Sequence, residues 1–257
     1  MDVLLTGACG GLGTELAKAF AKRGARLWLL DRDPAALAQL NQQLGGSHLT
    51  LAGDLTDRDT LSQLDAQCQQ QQPQFAWVLN NAGVASGGAF ESLPDSEWQR
   101  CLDINLMASV RLSRLVSPHM GKGSYLVNIV SMAAVANAPY MAAYNVSKAA
   151  LLSLSETLRF EWRPRGIQVS AVCPAFFQTP LLDSLNAQGK AIAAPAGKMM
   201  QRSELSAADV ADYLIEHAIA GEFLILPHKK SRQAWRVKRW LPSLFFKQVL
   251  QQTVKGH

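Results

Sequence analysis

Short apolar runs recur along the chain, and segments with helical spacing lie between them. The runs cover 3–5, 26–30, 48–52, 75–79, 125–130, 168–172 and 223–226. The intervening segments 12–23, 34–44, 57–70, 98–120, 142–163 and 207–220 place apolar residues three and four apart, as amphipathic helices do. Strands joined by helical crossovers cannot pair as hairpins. They predict a parallel sheet with both faces covered. The expectation is an α/β doubly wound (Rossmann) fold: a parallel seven-stranded sheet with helices on both faces.

The alternation fills residues 1–227, read as a single domain with a substrate lid around 176–204. At 257 residues, with 48% hydrophobic and 18% charged, the chain is long and apolar enough to bury a core, which excludes disorder as its main state. No run reaches ~18 uninterrupted apolar residues, so no membrane-spanning helix is expected. The start lacks a basic segment followed by a long apolar one, so no secretion signal is expected. Cys9, Cys68, Cys101 and Cys173 form no C-x-x-C pair. They read as four reduced thiols of a cytoplasmic protein, with no metal site.

Thr6-Gly7-Ala8-Cys9-Gly10-Gly11-Leu12-Gly13 joins the first strand to the first helix. Glycines there let the backbone turn sharply and approach a pyrophosphate, which the helix N-terminus then attracts. Asp31 ends the second strand, twenty residues after Gly11, where a carboxylate accepts from the ribose hydroxyls of a dinucleotide. That carboxylate repels a 2′-phosphate, and Asp33 adds to the repulsion, whereas Arg32 can pair with one. The balance favours NAD over NADP.

Tyr144 and Lys148 are four apart on a helical segment and share a face. An ammonium beside a phenol favours the phenolate, the requirement for a general acid/base acting on an alcohol or ketone. Ser131 ends the fifth strand, at the carboxyl edge where open parallel sheets bind ligands. Asn105 lies mid-helix, where Asn is a poor helix former, so its side chain is expected to hold a water or a backbone carbonyl.

With these residues in order, the chain resembles the short-chain dehydrogenase/reductase family over about residues 1–226. The glycine turn is similar to the family's cofactor fingerprint. Asp54, followed by Leu55, resembles its adenine-contacting Asp, and Asn80-Asn81-Ala82-Gly83 its motif after the fourth strand. Asn105, Ser131, Tyr144 and Lys148 match its catalytic tetrad. The resemblance implies that Tyr144 exchanges a proton with the substrate oxygen and that Ser131 stabilises that oxygen. It implies that Lys148 lowers the Tyr pKa and binds the nicotinamide ribose, and that Asn105 holds a water in a relay with Lys148. It further implies hydride transfer between NAD or NADP and an alcohol or carbonyl, and a homodimer or homotetramer. The family usually shows Pro-Gly after the sixth strand; here Pro174 is followed by Ala175. A local change in that turn is expected, and it bears on Thr179, which falls where the family places a Thr near the nicotinamide carboxamide.

Apolar residues crowd the lid, including Phe176, Phe177, Leu181, Leu182, Leu185, Met199 and Met200. They read either as a wall for an apolar substrate or as packing of the lid onto the body. The last segment, 228–257, holds eight of the chain's 25 Lys and Arg and none of its 20 acidic residues. The net +5 therefore resides in this tail. Pro242 divides it into two short helices, with Trp, Phe and Leu among the charges. Contact with an anionic membrane and docking on the body or a neighbouring subunit both fit that composition. Nucleic acid is not expected, because nothing else in the chain supports it.

Overall fold

The computed structural model describes residues 1–254. Seven parallel strands form one sheet in the order β3-β2-β1-β4-β5-β6-β7. They are β1 (Asp2–Thr6), β2 (Arg26–Asp31), β3 (Leu49–Ala52), β4 (Phe75–Asn80), β5 (Tyr125–Ile129), β6 (Gln168–Val172) and β7 (Leu224–Ile225). The strand order reverses between β1 and β4, which pair from Val3↔Trp77 to Leu5↔Leu79. That reversal opens a crevice at the carboxyl edge, where such sheets bind ligands.

Side chains alternate across each strand and so supply two cores. Val3, Leu5, Leu27 and Leu29 face α1 (Gly11–Lys22), α2 (Pro34–Gln43) and α9 (Ala207–Ile219), meeting Leu16, Phe20, Leu37 and Leu214. Leu4, Trp28, Leu30 and Val78 point the other way. They meet Leu64 of α3 (Arg58–Gln71) and Leu112 and Val116 of α5 (Ala108–Val116). At ~25 cal/mol per Å² of apolar area, covering both faces is the main driving force for this layering. Asp33 caps α2 by accepting from the Ala35 and Ala36 amides, both at 3.0 Å.

The continuous helix expected over 98–120 is interrupted. It consists of α4 (Asp95–Leu102), a π turn over Asp103–Met107 and α5, followed by a 3₁₀ turn, Ser117–His119. A π turn accommodates one extra residue and displaces its side chains from the regular helical face. Asn105 lies within it. α6 (Ala133–Ala136) and α7 (Ala142–Trp162) follow β5. The lid is more regular than its sequence suggests, with 3₁₀ turns at Pro180–Ser184 and Ala187–Gly189 and then α8 (Lys190–Gln201). The tail forms α10 (Lys229–Trp240) and α11 (Pro242–Val254), divided where Pro242 lacks an N–H to continue the ladder. Lys255 lies outside the described residues. Among those described, no helix is long and apolar enough to cross a membrane.

Candidate active site

The glycine turn is shaped by sterics. Gly7 sits at φ +61°, and a Cβ there would lie 2.9 Å from the Ala82 Cα. A Cβ on Gly13 would lie 2.0 Å from the Gly7 carbonyl oxygen, so α1 could not approach the turn with any larger residue. Gly10 is the N-cap of α1 and no side chain caps it, so the first-turn N–H groups have no capping side chain and are available to an anion.

Thr6 is directed inward. Its hydroxyl accepts from the Asn81 and Ala82 amides at 3.0 and 3.1 Å, while the Asn81 side-chain amide donates to the Thr6 and Gly7 carbonyls at 3.0 and 2.9 Å. Thr6 and Asn81 thus clasp the two loops that border the crevice. Beside the cofactor contact expected of it, Thr6 thus has a fastening role, with its side chain buried.

Asp31 stands at the mouth of the turn, accepting from the Cys9 amide at 2.9 Å and the Arg32 amide at 2.8 Å. Burial and the nearby Asp31 charge push the Cys9 thiol up to about 12, so it remains neutral. Arg32 is exposed. Asp54 is exposed and accepts from the Thr56 amide and hydroxyl at 2.8 and 2.7 Å, and Leu55 packs into the core beside Leu51 and Leu64. Turn, helix N-terminus and Asp31 fit a dinucleotide: an anion at the helix end, a ribose at the carboxylate.

Asn105 is fully buried. Its Oδ1 accepts from the Val84 amide at 2.8 Å, and its Nδ2 donates to the Val84 carbonyl and the Ser147 hydroxyl, both at 3.0 Å. It holds backbone, one of the two expectations raised by its mid-helix position. Three bonds explain why the π turn persists. Ser147 relays the contact to α7 by donating to the Tyr144 carbonyl at 2.8 Å. Lys148 is 3% exposed and donates from Nζ to the Ile129 carbonyl at 2.9 Å. Gly83 fills the space between them, and a Cβ there would lie 3.1 Å from Asn105 Oδ1 and 3.2 Å from Lys148 Nζ.

Lys148 Nζ lies 6.0 Å from the centre of the Tyr144 ring. Burial pushes the Tyr144 phenol up to about 12, against a hydrogen bond from Ser131 that pulls it down. Burial pushes Lys148 down from 10.5 to about 8, so it is still mostly cationic at neutral pH. The structure therefore brings Asn105, Ser131, Tyr144, Lys148 and Gly83 to one edge of the sheet.

The segment read as a lid is fastened to the loop after β4. Ser184 Oγ accepts from the Ala85 amide at 2.8 Å, and Asn186 Oδ1 from the Gly87 amide at 2.9 Å. Arg100 joins the two by donating to the Ser184 and Ala85 carbonyls at 3.2 and 3.0 Å while paired with Glu97. Thr179 lies against Gly11 and accepts from the Leu181 amide, capping the first lid turn. Phe177 and Met200 pack inward, whereas Phe176, Leu181, Leu182 and Leu185 are half-buried. Ala175 replaces the family's Gly without strain, since the positive-φ non-glycines are Gln72, Asn137 and Tyr140. Its amide donates to His228 Nδ1 at 3.3 Å, and Pro174 accepts from the Met132 amide at 2.9 Å. Sequence reasoning missed Ser147, Arg100 and His228. Ser147 alone left a trace, three residues after Tyr144 on the same helix face.

The model of the family described as short chain dehydrogenase matches residues 2–190. An uncharacterized short-chain type dehydrogenase/reductase, y4vI, of Sinorhizobium fredii is 32% identical over 73% of this chain, which spans about a third (34%) of that protein's length. The NAD-dependent glycerol dehydrogenase of Listeria innocua is 32% identical over 69% of this chain and 71% of its own. Among solved structures, a short chain dehydrogenase/reductase from Burkholderia phymatum in complex with NAD superposes with a TM-score of 0.87. It is 26% identical, over 95% of this chain and 94% of that one. A short-chain dehydrogenase from Sphingobium yanoikuyae in complex with NADPH has a TM-score of 0.76 and 27% identity, over 98% and 94% of the two chains.

Proposed function

Because the chain belongs to the short-chain dehydrogenase/reductase family, whose members are nicotinamide-dependent oxidoreductases, we propose that it interconverts an apolar alcohol and its carbonyl compound with Tyr144 as general acid/base. The observation that carries this reading is the convergence of Ser131, Tyr144 and Lys148 at the carboxyl edge, with Lys148 Nζ held by the Ile129 carbonyl beside the Tyr144 ring. The nicotinamide, when bound, supplies or receives the hydride at the substrate carbon.

The protein residues manage the proton. In the reducing direction the Tyr144 phenol donates its proton to the carbonyl oxygen; burial raises its pKa, so it is neutral and protonated at neutral pH. Ser131 donates a hydrogen bond to the same oxygen as negative charge grows there. The Lys148 cation then stabilises the phenolate that remains. In the oxidising direction the phenolate takes the alcohol proton, and the same cation favours its formation. Asn105 positions rather than reacts: it fixes Val84, and with it Gly83, against Lys148. The relay water that the resemblance assigns to Asn105 would have to use the remaining lone pair of Oδ1 or a main-chain carbonyl of the π turn, because both Nδ2 protons are committed.

NAD is favoured over NADP by the Asp31 carboxylate, which faces the ribose position beside the Cys9 amide. The half-buried Phe176, Leu181, Leu182 and Leu185 support an apolar substrate beneath the lid. We take the enzyme to be cytoplasmic, on its four unpaired cysteines, and a homodimer or homotetramer, as the resemblance implies. Initial rates on alcohols and carbonyls graded from short polar to long apolar, with NAD(H) and NADP(H) side by side, test the reading. Turnover should rise with apolar length and with NAD(H). Intact cofactor binding without turnover on any member would instead support a cofactor-binding regulator.

A further inference from the structure

The tail uses one side to dock and leaves the other bare. On the inner side, Ser231 and Phe245 are buried, Trp235 packs beside Leu226 and Phe223, and Arg232 donates to the Leu226 and Pro227 carbonyls at 2.7 Å. Lys238 donates to the Val135 carbonyl of α6. These contacts hold α10 on the body, and α11 packs back against α10 with Phe245 beneath Lys238, so docking on the protein itself accounts for this inner side. It does not account for the outer one. There Trp240 is 76% and Leu250 64% exposed, and Leu241, Leu244 and Phe246 are exposed with them.

The charges divide in the same way. Arg232 and Lys238 are spent on backbone carbonyls. Lys229, Lys230, Arg236, Arg239 and Lys247 are exposed, and among the described residues none has an acidic partner within 4.0 Å. The tail contains no Asp or Glu, while the rest of the chain carries a slight acidic excess. A cationic surface interleaved with exposed Trp, Leu and Phe suits one environment in both respects, the headgroup and upper acyl layer of an anionic bilayer. A second copy of the same surface would meet it charge against charge, and a nucleic acid gives Leu244 and Leu250 nothing to bury against.

We propose that the outer side of α10 and α11 seats this protein on anionic membrane surfaces as a peripheral element. The body-docked inner side serves as its mount. The proposal is independent of turnover, so it stands or falls apart from the catalytic reading.

Flotation of the full-length protein tests it, using vesicles of phosphatidylcholine alone and with about 30% phosphatidylglycerol, in 0.1 M and 0.5 M salt. Binding is expected on the anionic vesicles, at least about tenfold above the neutral ones, and weakened several-fold at the higher salt as the Debye length shrinks. Trp240→Glu with Leu250→Glu should lower it about tenfold with an unchanged thermal melt, because both side chains are exposed. Arg236→Glu with Arg239→Glu provides a second variant that leaves the apolar residues in place, and it should lower binding to a similar extent. Absence of flotation, equal flotation on neutral vesicles, or variants that float like the parent would overturn the proposal. So would a solution mass of two or more copies that collapses in the Trp240/Leu250 variant while neither protein floats; that outcome would assign the surface to self-association.

Discussion

Lys148→Met separates the cost of burying a cation from the catalytic use of it. Lys148 is 3% exposed, and burial depresses it from 10.5 to about 8. At about 1.4 kcal/mol per pKa unit, holding the charged form inside costs about 3 kcal/mol at neutral pH. The folded value lies below the unfolded one, so between pH 8 and 10.5 the unfolded chain binds more protons and stability rises with pH. Integrating over pH 7 to 9 gives the parent protein a gain on the order of 1 kcal/mol from this group alone. Methionine cannot titrate, so the variant should lack that increment. It also leaves the Ile129 carbonyl without its 2.9 Å donor, a loss of about 1–3 kcal/mol that offsets the relief from the buried charge. The absolute stability at pH 7 should therefore change little, and the slope is the diagnostic quantity. Urea titrations of both proteins at pH 7 and pH 9 measure it. Equal slopes in parent and variant would refute the claim that a buried cation is maintained here, whatever happens to turnover.

Asn105→Ala removes three hydrogen bonds and leaves the Val84 amide and carbonyl buried, which should cost about 2–4 kcal/mol in urea denaturation and lower kcat more than it raises KM. Gly13→Ala should abolish cofactor binding by fluorescence titration, because its Cβ would collide with the Gly7 carbonyl. Gly197→Ala in α8, with open space around it, should raise stability by up to ~1 kcal/mol. Asp31→Ser should weaken NADH by about 1.5–3 kcal/mol and narrow or reverse the preference over NADPH, read from the two dissociation constants.

Much of this fold was legible because the strands are short apolar runs that alternate faces and the helices keep one apolar stripe. β6 matched at both ends and β1 to β5 to within a residue or so. β7 shrank to Leu224–Ile225, since an edge strand needs only enough length to pair with Ala171 and Val172. The π turn was hidden because apolar spacing runs through 98–120 without a break; the turn is set by the contact of Asn105 with Val84, 21 residues away in sequence. The lid helix was obscured by Pro195 and Gly197, which depress helix propensity. The tetrad and the glycine turn were visible as residue types in order. The fastening of Thr6 to Asn81, the Ser147 relay and the contact of His228 with Ala175 were not, because each joins segments that only the folded sheet brings together.

The account turns on Tyr144 as the group that moves the proton. The most direct measurement is single-turnover reduction by Tyr144→Phe, using the best carbonyl substrate of the parent enzyme and the preferred reduced cofactor. Phenylalanine keeps the ring beside Lys148 and removes only the hydroxyl. The account expects the rate of cofactor oxidation to fall by about 10²–10⁴, the usual contribution of a positioned general acid, with cofactor affinity within a few-fold of the parent. A variant that turns over at the parent rate would contradict it.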